Sequence, residues 1–310
     1  MGETAVTLEK LLTGMRDIDQ PIRTTGLLML SGLLPEDISG LDEQWGRIPD
    51  DRRVEIVTQL VIMAEEGVDC DFNTFLCLAL TDSNARVRER SIAGLWESED
   101  RSMIPILLDH LTNDSAETVR AMAATVLGRF AVLAQMGKLL DRDGQKVYKA
   151  LIDVLLRERS TLEVQRRALE SVGAFQSAEV SKWIRWGYHS DDPKLRQSAL
   201  YAMGRNCDRS WLETIFDELQ SEEPAMRYEA ANACRELGED EAIPRLAVLV
   251  NDDDLQVQVA AIQALGAIGG ASVKKLLTEL AQRTTDEGVR EAAEAAVGEF
   301  EWQDPQPQFE

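Results

Sequence analysis

The stretch LQVQVAAIQALGAIGG, residues 255–270, decides the fold. It holds no acid, base, nucleophile or metal ligand, only Val, Leu, Ile, Ala and Gln, closed by glycines. Val257, Ala261, Leu265 and Gly266 stand at offsets 0, +4, +8 and +9. The first three offsets put apolar side chains on one face of an α-helix. The small +4 residue admits a second helix at close range. The +9 glycine is expected to take the left-handed conformation that ends a helix.

The same frame recurs along the chain. The anchors are residues 87, 119, 164, 195, 226, 257 and 289, separated by 32, 45, 31, 31, 31 and 32 residues. After Val119 come Ala123, Leu127 and Gly128; after Leu195 come Ala199, Met203 and Gly204; after Val289 come Ala293, Val297 and Gly298. After Val87 the +8 and +9 residues are Leu95 and Trp96, and after Met226 the glycine is displaced to Gly238. Acidic or polar clusters precede most anchors: TDSNA, TNDSAE, SDDPK, SEEPA and NDDD. Their Asp, Asn and Ser residues suit helix starts. A second amphipathic run follows the +9 position, as in MIPILLDHL (103–111), AIPRLAVLV (242–250) and ASVKKLLTEL (271–280). Pro105 and Pro244 fall in the first turn of those runs, where a missing N–H costs little. Each unit therefore reads as helix, tight turn, helix, acidic turn.

These units resemble short HEAT-like repeats of the phycobilisome-lyase type. The resemblance rests on an acidic turn, Val-Arg, Ala, Leu-Gly and Ile-Pro-x-Leu, as in DSNARVRERSIAGLW…MIPILL and EEPAMRYEAANACRELG…AIPRLAVL. It covers roughly residues 82–300. It implies an all-α fold, an α-α superhelix in which neighbouring repeats bury each other's faces and the second helices line a concave side. Residues 1–80 read as divergent helical repeats that cap the stack, residues 81–300 as the regular array, and residues 301–310 as a disordered acidic tail. The 45-residue step marks an insertion near residues 136–146. DRDGQK (141–146) reads as a turn, since an EF-hand would need Glu where Ile152 stands.

Charge narrows the function classes. With 33 Lys and Arg against 55 Asp and Glu, the net charge is −22. That argues against nucleic acid, whose phosphates need a cationic surface, and against an anionic membrane. It permits a basic protein partner and also serves solubility. No run approaches a membrane span, and MGETAVTLEK lacks the pattern of a secretory signal. Cys70, Cys77, Cys207 and Cys234 form no CxxC pair. They read as small side chains in a reducing compartment, so the cytoplasm is the expected location.

Two groups of residues stand out. Arg88, Arg120, Arg196, Arg227 and Arg290 all occupy +1, and Asp82, Asp114, Asp191, Asp252 and Asp286 precede the anchors. This reads as a structural ladder in which each arginine bonds the acidic turn of a neighbouring repeat. Trp183, Trp186, Tyr188 and His189 cluster in SKWIRWGYHS, with Trp211 ahead, in a chain only 5% aromatic. Aligned with AIPRLAVLV, Trp183 matches Leu246 and Trp186 matches Leu249, which reads as core filling. Tryptophan is also enriched at interaction hot spots, so a partner-binding groove stays open.

No catalytic residue, cofactor site or metal site is expected. His110 and His189 are the only histidines and neither is followed by Glu. HEAT-like iron hydroxylases hold their metal with several His-Glu pairs, and that chemistry is absent here. The expected function is a non-catalytic scaffold that binds another protein on the concave face, and the acidic charge permits that partner to be basic. The resemblance implies one alternative, a bilin-lyase-like or accessory protein holding a chromophore. Another is a structural subunit of a larger assembly.

Overall fold

The computed structural model describes residues 3–67, 70–157 and 160–303. All regular structure among them is helical. The chain divides into two compact units, Met1–Ser171 and Val172–Glu310. The first holds α1 (Glu3–Gly14), α2 (Thr24–Leu28), α3 (Asp42–Gly46), α4 (Asp50–Glu66), α5 (Asn73–Ala79), α6 (Ala85–Gly94), α7 (Ile104–Asn113), α8 (Glu117–Gln135), α9 (Asp141–Leu156) and α10 (Leu162–Val172), whose last residue opens the second unit. The second holds α11 (Ala178–Tyr188), α12 (Pro193–Asn206), α13 (Leu212–Glu218), α14 (Pro224–Leu237), α15 (Ile243–Leu249), α16 (Leu255–Ile268), α17 (Ala271–Arg283) and α18 (Glu287–Gln303). No described helix is long and apolar enough to cross a membrane.

The acidic turns start helices as their composition predicts. Asp254 accepts the N–H groups of Gln256 and Val257 at the start of α16, Asp192 that of Leu195, and Asn84 that of Arg86. Each such cap is worth about 1 kcal/mol. The anchors Val87, Val119, Leu195, Met226, Val257 and Val289 are all buried.

In the second unit the anchor helices α12, α14, α16 and α18 lie side by side as one layer. The helices α11, α13, α15 and α17 each rest on the anchor helix that follows, and touch one another far less. The closer spacing puts the anchor helices on the inside of this unit's curve. This corrects the expectation that the second helices line the concave side. In the first unit α4, α6 and α8 form the corresponding layer.

The +9 glycines set this close spacing. A Cβ on Gly204 would lie 2.7 Å from the Cα of Ala233, one on Gly173 2.9 Å from the Cβ of Ala202, and one on Gly266 2.8 Å from the Cβ of Ala296. In the first unit a Cβ on Gly128 would lie 2.7 Å from Ser171 Oγ. Each partner stands at +7 of the next repeat. The +9 glycine is therefore a docking position and not the helix end that was expected. Positive φ falls at +12, on Cys207 (52°), Gly238 (68°) and Gly269 (88°). Gly238 is thus not a displaced +9 glycine; it has the other role.

The insertion lengthens helices. α8 has 19 residues against 14 in α12, α14 and α16, and α9 has 16. Asp141 opens α9, so DRDGQK is the first turn of a helix and not a free turn. Gly144, inside it, sits where a Cβ would be 2.9 Å from the Cβ of Ala134 on α8. At the other end α18 runs to Gln303, and residues 304–310 of the expected tail lie outside the described residues.

Candidate functional site

The aromatic cluster divides between core and surface. Val180, Ile184 and Gly187 are the buried residues of α11. Counted from the anchors, Ile184 corresponds to Leu246 and Gly187 to Leu249. The alignment that put Trp183 and Trp186 at those positions was one residue out of register, and the core reading of this pair is corrected. Trp183 is half-buried and Trp186 is 41% exposed. Their rings meet edge to face, with centroids 5.4 Å apart and planes at 82°. Such a pair is a preferred aromatic geometry. It lies on α11, in the layer opposite the anchor helices.

Trp211 is core. It is 3% exposed and donates its indole N–H to Asn206 Oδ1 at 3.1 Å. The buried Asn206 in turn donates to the carbonyls of Gly173 and Phe175 at 2.9 and 3.0 Å. The Arg185 guanidinium stacks 5.0 Å from the Trp211 ring centroid. Tyr188 donates to Glu218 Oε1 at 2.6 Å. Burial, with the Glu218 carboxylate beside it, pushes the Tyr188 phenol well above its ordinary range. His189 is exposed, its ring 5.4 Å from that of Tyr188. The five residues therefore do not enclose one pocket.

The +1 arginines share one geometry. Arg88, Arg120, Arg196 and Arg227 each donate through Nη1 to two carbonyls of the turn before their own helix. Arg290 reaches one such carbonyl, Thr284 O, at 3.4 Å. Three also reach the next repeat. Arg88 holds Asp114 and Arg227 holds Asp252 through paired bonds of 2.7 to 2.8 Å. Arg196 meets Glu223 at 3.1 Å. Asp191 lends only its carbonyl, and Asp286 caps Val289, so neither carboxylate is a rung. Asp82 is held by Arg53 of α4, a residue that sequence reading passed over.

Among these carboxylates Asp114 is the one whose pKa is lowered furthest. Burial would raise its pKa, but Arg88, the Ala116 N–H and His110 outweigh that and hold it at about 2. His110 Nδ1 lies 3.0 Å from Asp114 Oδ2. A carboxylate depressed in the folded state stabilises it above the unfolded pKa, and that contribution vanishes as pH falls through the folded one. We expect the wild-type chain to lose about 2 kcal/mol more than Asp114→Asn between about pH 5 and pH 2. Urea midpoints across that range measure it; parallel curves for the two proteins would rule it out.

Among the described residues no three His, Cys, Asp or Glu side chains converge as metal ligands would. All four cysteines are free thiols. Cys234, buried in α14, is pushed up to about 12 by burial, which leaves it a poor nucleophile.

The HEAT-repeat family model matches residues 73–155 and 212–298. The complex of CpcE and CpcF of phycocyanin lyase from Nostoc sp. PCC7120 is 16% identical, with a TM-score of 0.54 over 91% of this chain and 98% of that one. That likeness is one of fold. Deoxyhypusine hydroxylase from Mus musculus is 24% identical over 169 residues, 54% of this chain and 44% of the relative, so the chain spans less than half of that relative's length. The matched segments cover more than half of the chain, and they hold the docking glycines Gly128 and Gly266 and the rungs Arg88–Asp114 and Arg227–Asp252. The chain belongs to the HEAT-repeat family.

Proposed function

We propose that this protein is a non-catalytic scaffold that captures a protein segment. The observation that carries the reading is the Trp183–Trp186 pair, presented on the outward side of α11 while Trp211 serves the core. Exposed tryptophan pairs suit hot spots, because they bury much area at little entropic cost. The contact surface is the outer face of α11, and not the concave face expected from sequence. The net charge of −22 and the acidic turns between repeats favour a basic partner and speed its approach. The chromophore-lyase reading gains less support, since Trp183, Trp186, Tyr188, His189 and Trp211 form no shared pocket. The deoxyhypusine hydroxylase reading gains none from the metal chemistry, because His110 meets the single carboxylate of Asp114, His189 lies against Tyr188, and among the described residues no three such side chains converge.

The test is affinity capture from source-cell lysate at low and high salt, with Trp183→Ala/Trp186→Ala beside wild type. Trp183 is half-buried, so Trp186→Ala alone runs beside the double variant; it removes an exposed ring and should keep the melting temperature. We expect one dominant protein, lost in the double variant and weakened at high salt. Equal capture by the double variant would sink the anchor role, and capture indifferent to salt would sink the steering.

A further inference from the structure

One repeat departs from the frame in a way its own packing does not require. Where Gly128, Gly204 and Gly266 dock at +9, the repeat of Val87 carries Trp96. α6 stops early, at Gly94. Gly94 makes the close contact instead: a Cβ there would lie 2.6 Å from Val61 Cγ2 and 2.9 Å from Leu76 Cδ1. Trp96 is left in the turn beyond α6, 55% exposed. Its ring therefore offers an aromatic face for contact.

That turn borders a cleft of about 630 Å³ between α4, α5 and the end of α6. Val61, Leu76 and Trp96 are its apolar walls, and Glu65, Asp71 and Glu97 its charged ones. Among the described residues no Lys, Arg or His lines it. Among the described residues neither Glu65 nor Glu97 has a cationic partner. Burial first, then the Asp100 and Asp71 carboxylates, raise the neighbouring Cys77 thiol. Uncompensated carboxylates beside an exposed indole face are the arrangement that holds an organic cation.

We infer that this cleft binds the guanidinium or ammonium group of an arginine or lysine side chain on a basic protein segment. Trp96 supplies the aromatic face, and Glu65, Asp71 and Glu97 the counter-charge. The protein source of the cation rests on the scaffold reading; cation binding at Trp96 does not.

The experiment follows the indole N–H signals of the six tryptophans by NMR in the full chain. Trp96→Phe assigns the relevant signal. The probes are N-acetyl-arginine amide and its neutral isostere, N-acetyl-citrulline amide. The Trp96 signal should move saturably with the arginine probe, with affinity about threefold or more above that for citrulline. Glu65→Gln/Glu97→Gln changes two exposed residues and should keep the melting temperature while weakening arginine binding about threefold or more. If the double variant melts early, Glu97→Gln alone is read the same way. An equal response to citrulline, wild-type affinity in the Glu variants, or a Trp96 signal that never saturates would each overturn the inference. Any of these, with capture through Trp183 and Trp186 intact, would leave the scaffold reading standing.

Discussion

Gly204→Ala is expected to destabilise the protein by about 2 kcal/mol, an overpacking cost. Helix propensity alone predicts the opposite sign, a gain of about 1 kcal/mol for Gly to Ala inside a helix. The structure decides between them. The new methyl would sit 2.7 Å from the Cα and 3.0 Å from the Cβ of Ala233, and backbone cannot rotate aside as a side chain can. Gly298 provides the control. It occupies the same +9 position in α18, but nothing lies within 4 Å of its would-be Cβ. Gly298→Ala should therefore gain about 0.5 to 1 kcal/mol. Urea unfolding of both variants measures the pair. Two changes of the same sign would show that +9 docking does not govern the spacing of these helices.

Asp82→Ala should cost more, about 3 to 5 kcal/mol, as expected when one partner of a buried ion pair is removed. The Asp82 and Arg53 side chains are 2% and 4% exposed. Asp82 accepts from Arg53 Nε at 2.7 Å and Nη2 at 3.0 Å, from the Trp45 indole at 2.7 Å and from the Asn84 N–H at 2.7 Å. Arg53 also donates to Ile48 O, and Trp45 stands edge to face with Phe75 at 5.2 Å. Deleting the carboxylate strands the Trp45 indole N–H away from water and leaves the Arg53 guanidinium with one carboxylate, the exposed Asp50 at 3.0 Å. Arg53→Met/Asp82→Ala removes that charge and should recover more than half of the loss. A double variant as unstable as Asp82→Ala would mean that the pair's charge is not what matters.

Much of this was legible in the sequence because the repeat is enforced by physics. Most units keep an apolar residue at 0, a small one at +4 and glycine at +9, the residues that let neighbouring anchor helices approach closely. What the frame could not carry was the reason for a residue. Glycine serves both a docking contact and a left-handed turn, so Gly266 at +9 and Gly238 at +12 looked alike on paper. Cys207 hid the second role, since it holds φ 52° where its neighbours use glycine. Arg53 hid behind Arg52, a 6%-exposed arginine in the anchor place, where the search wanted Val or Leu. The Trp183 register failed because the alignment followed hydrophobicity. Counting from Leu195 puts Ile184 and Gly187 inward and turns both tryptophans out.

The glycine contacts also bear on how the second unit responds to force. Where Gly204 meets Ala233 and Gly266 meets Ala296, the touching groups are backbone and methyl, with no rotamers to rearrange. Such a contact cannot lengthen gradually, because dispersion attraction is forfeited within the first ångström of separation. At that point it can act as a pivot, since a non-directional contact between backbone and methyl opposes sliding more than it opposes rolling. Pulled along the line of contact, the array should be stiff and then yield abruptly; twisted or bent, it should be compliant. In the proposed scaffold, elastic compliance in that direction would let one surface follow partners of different curvature without breaking an internal bond.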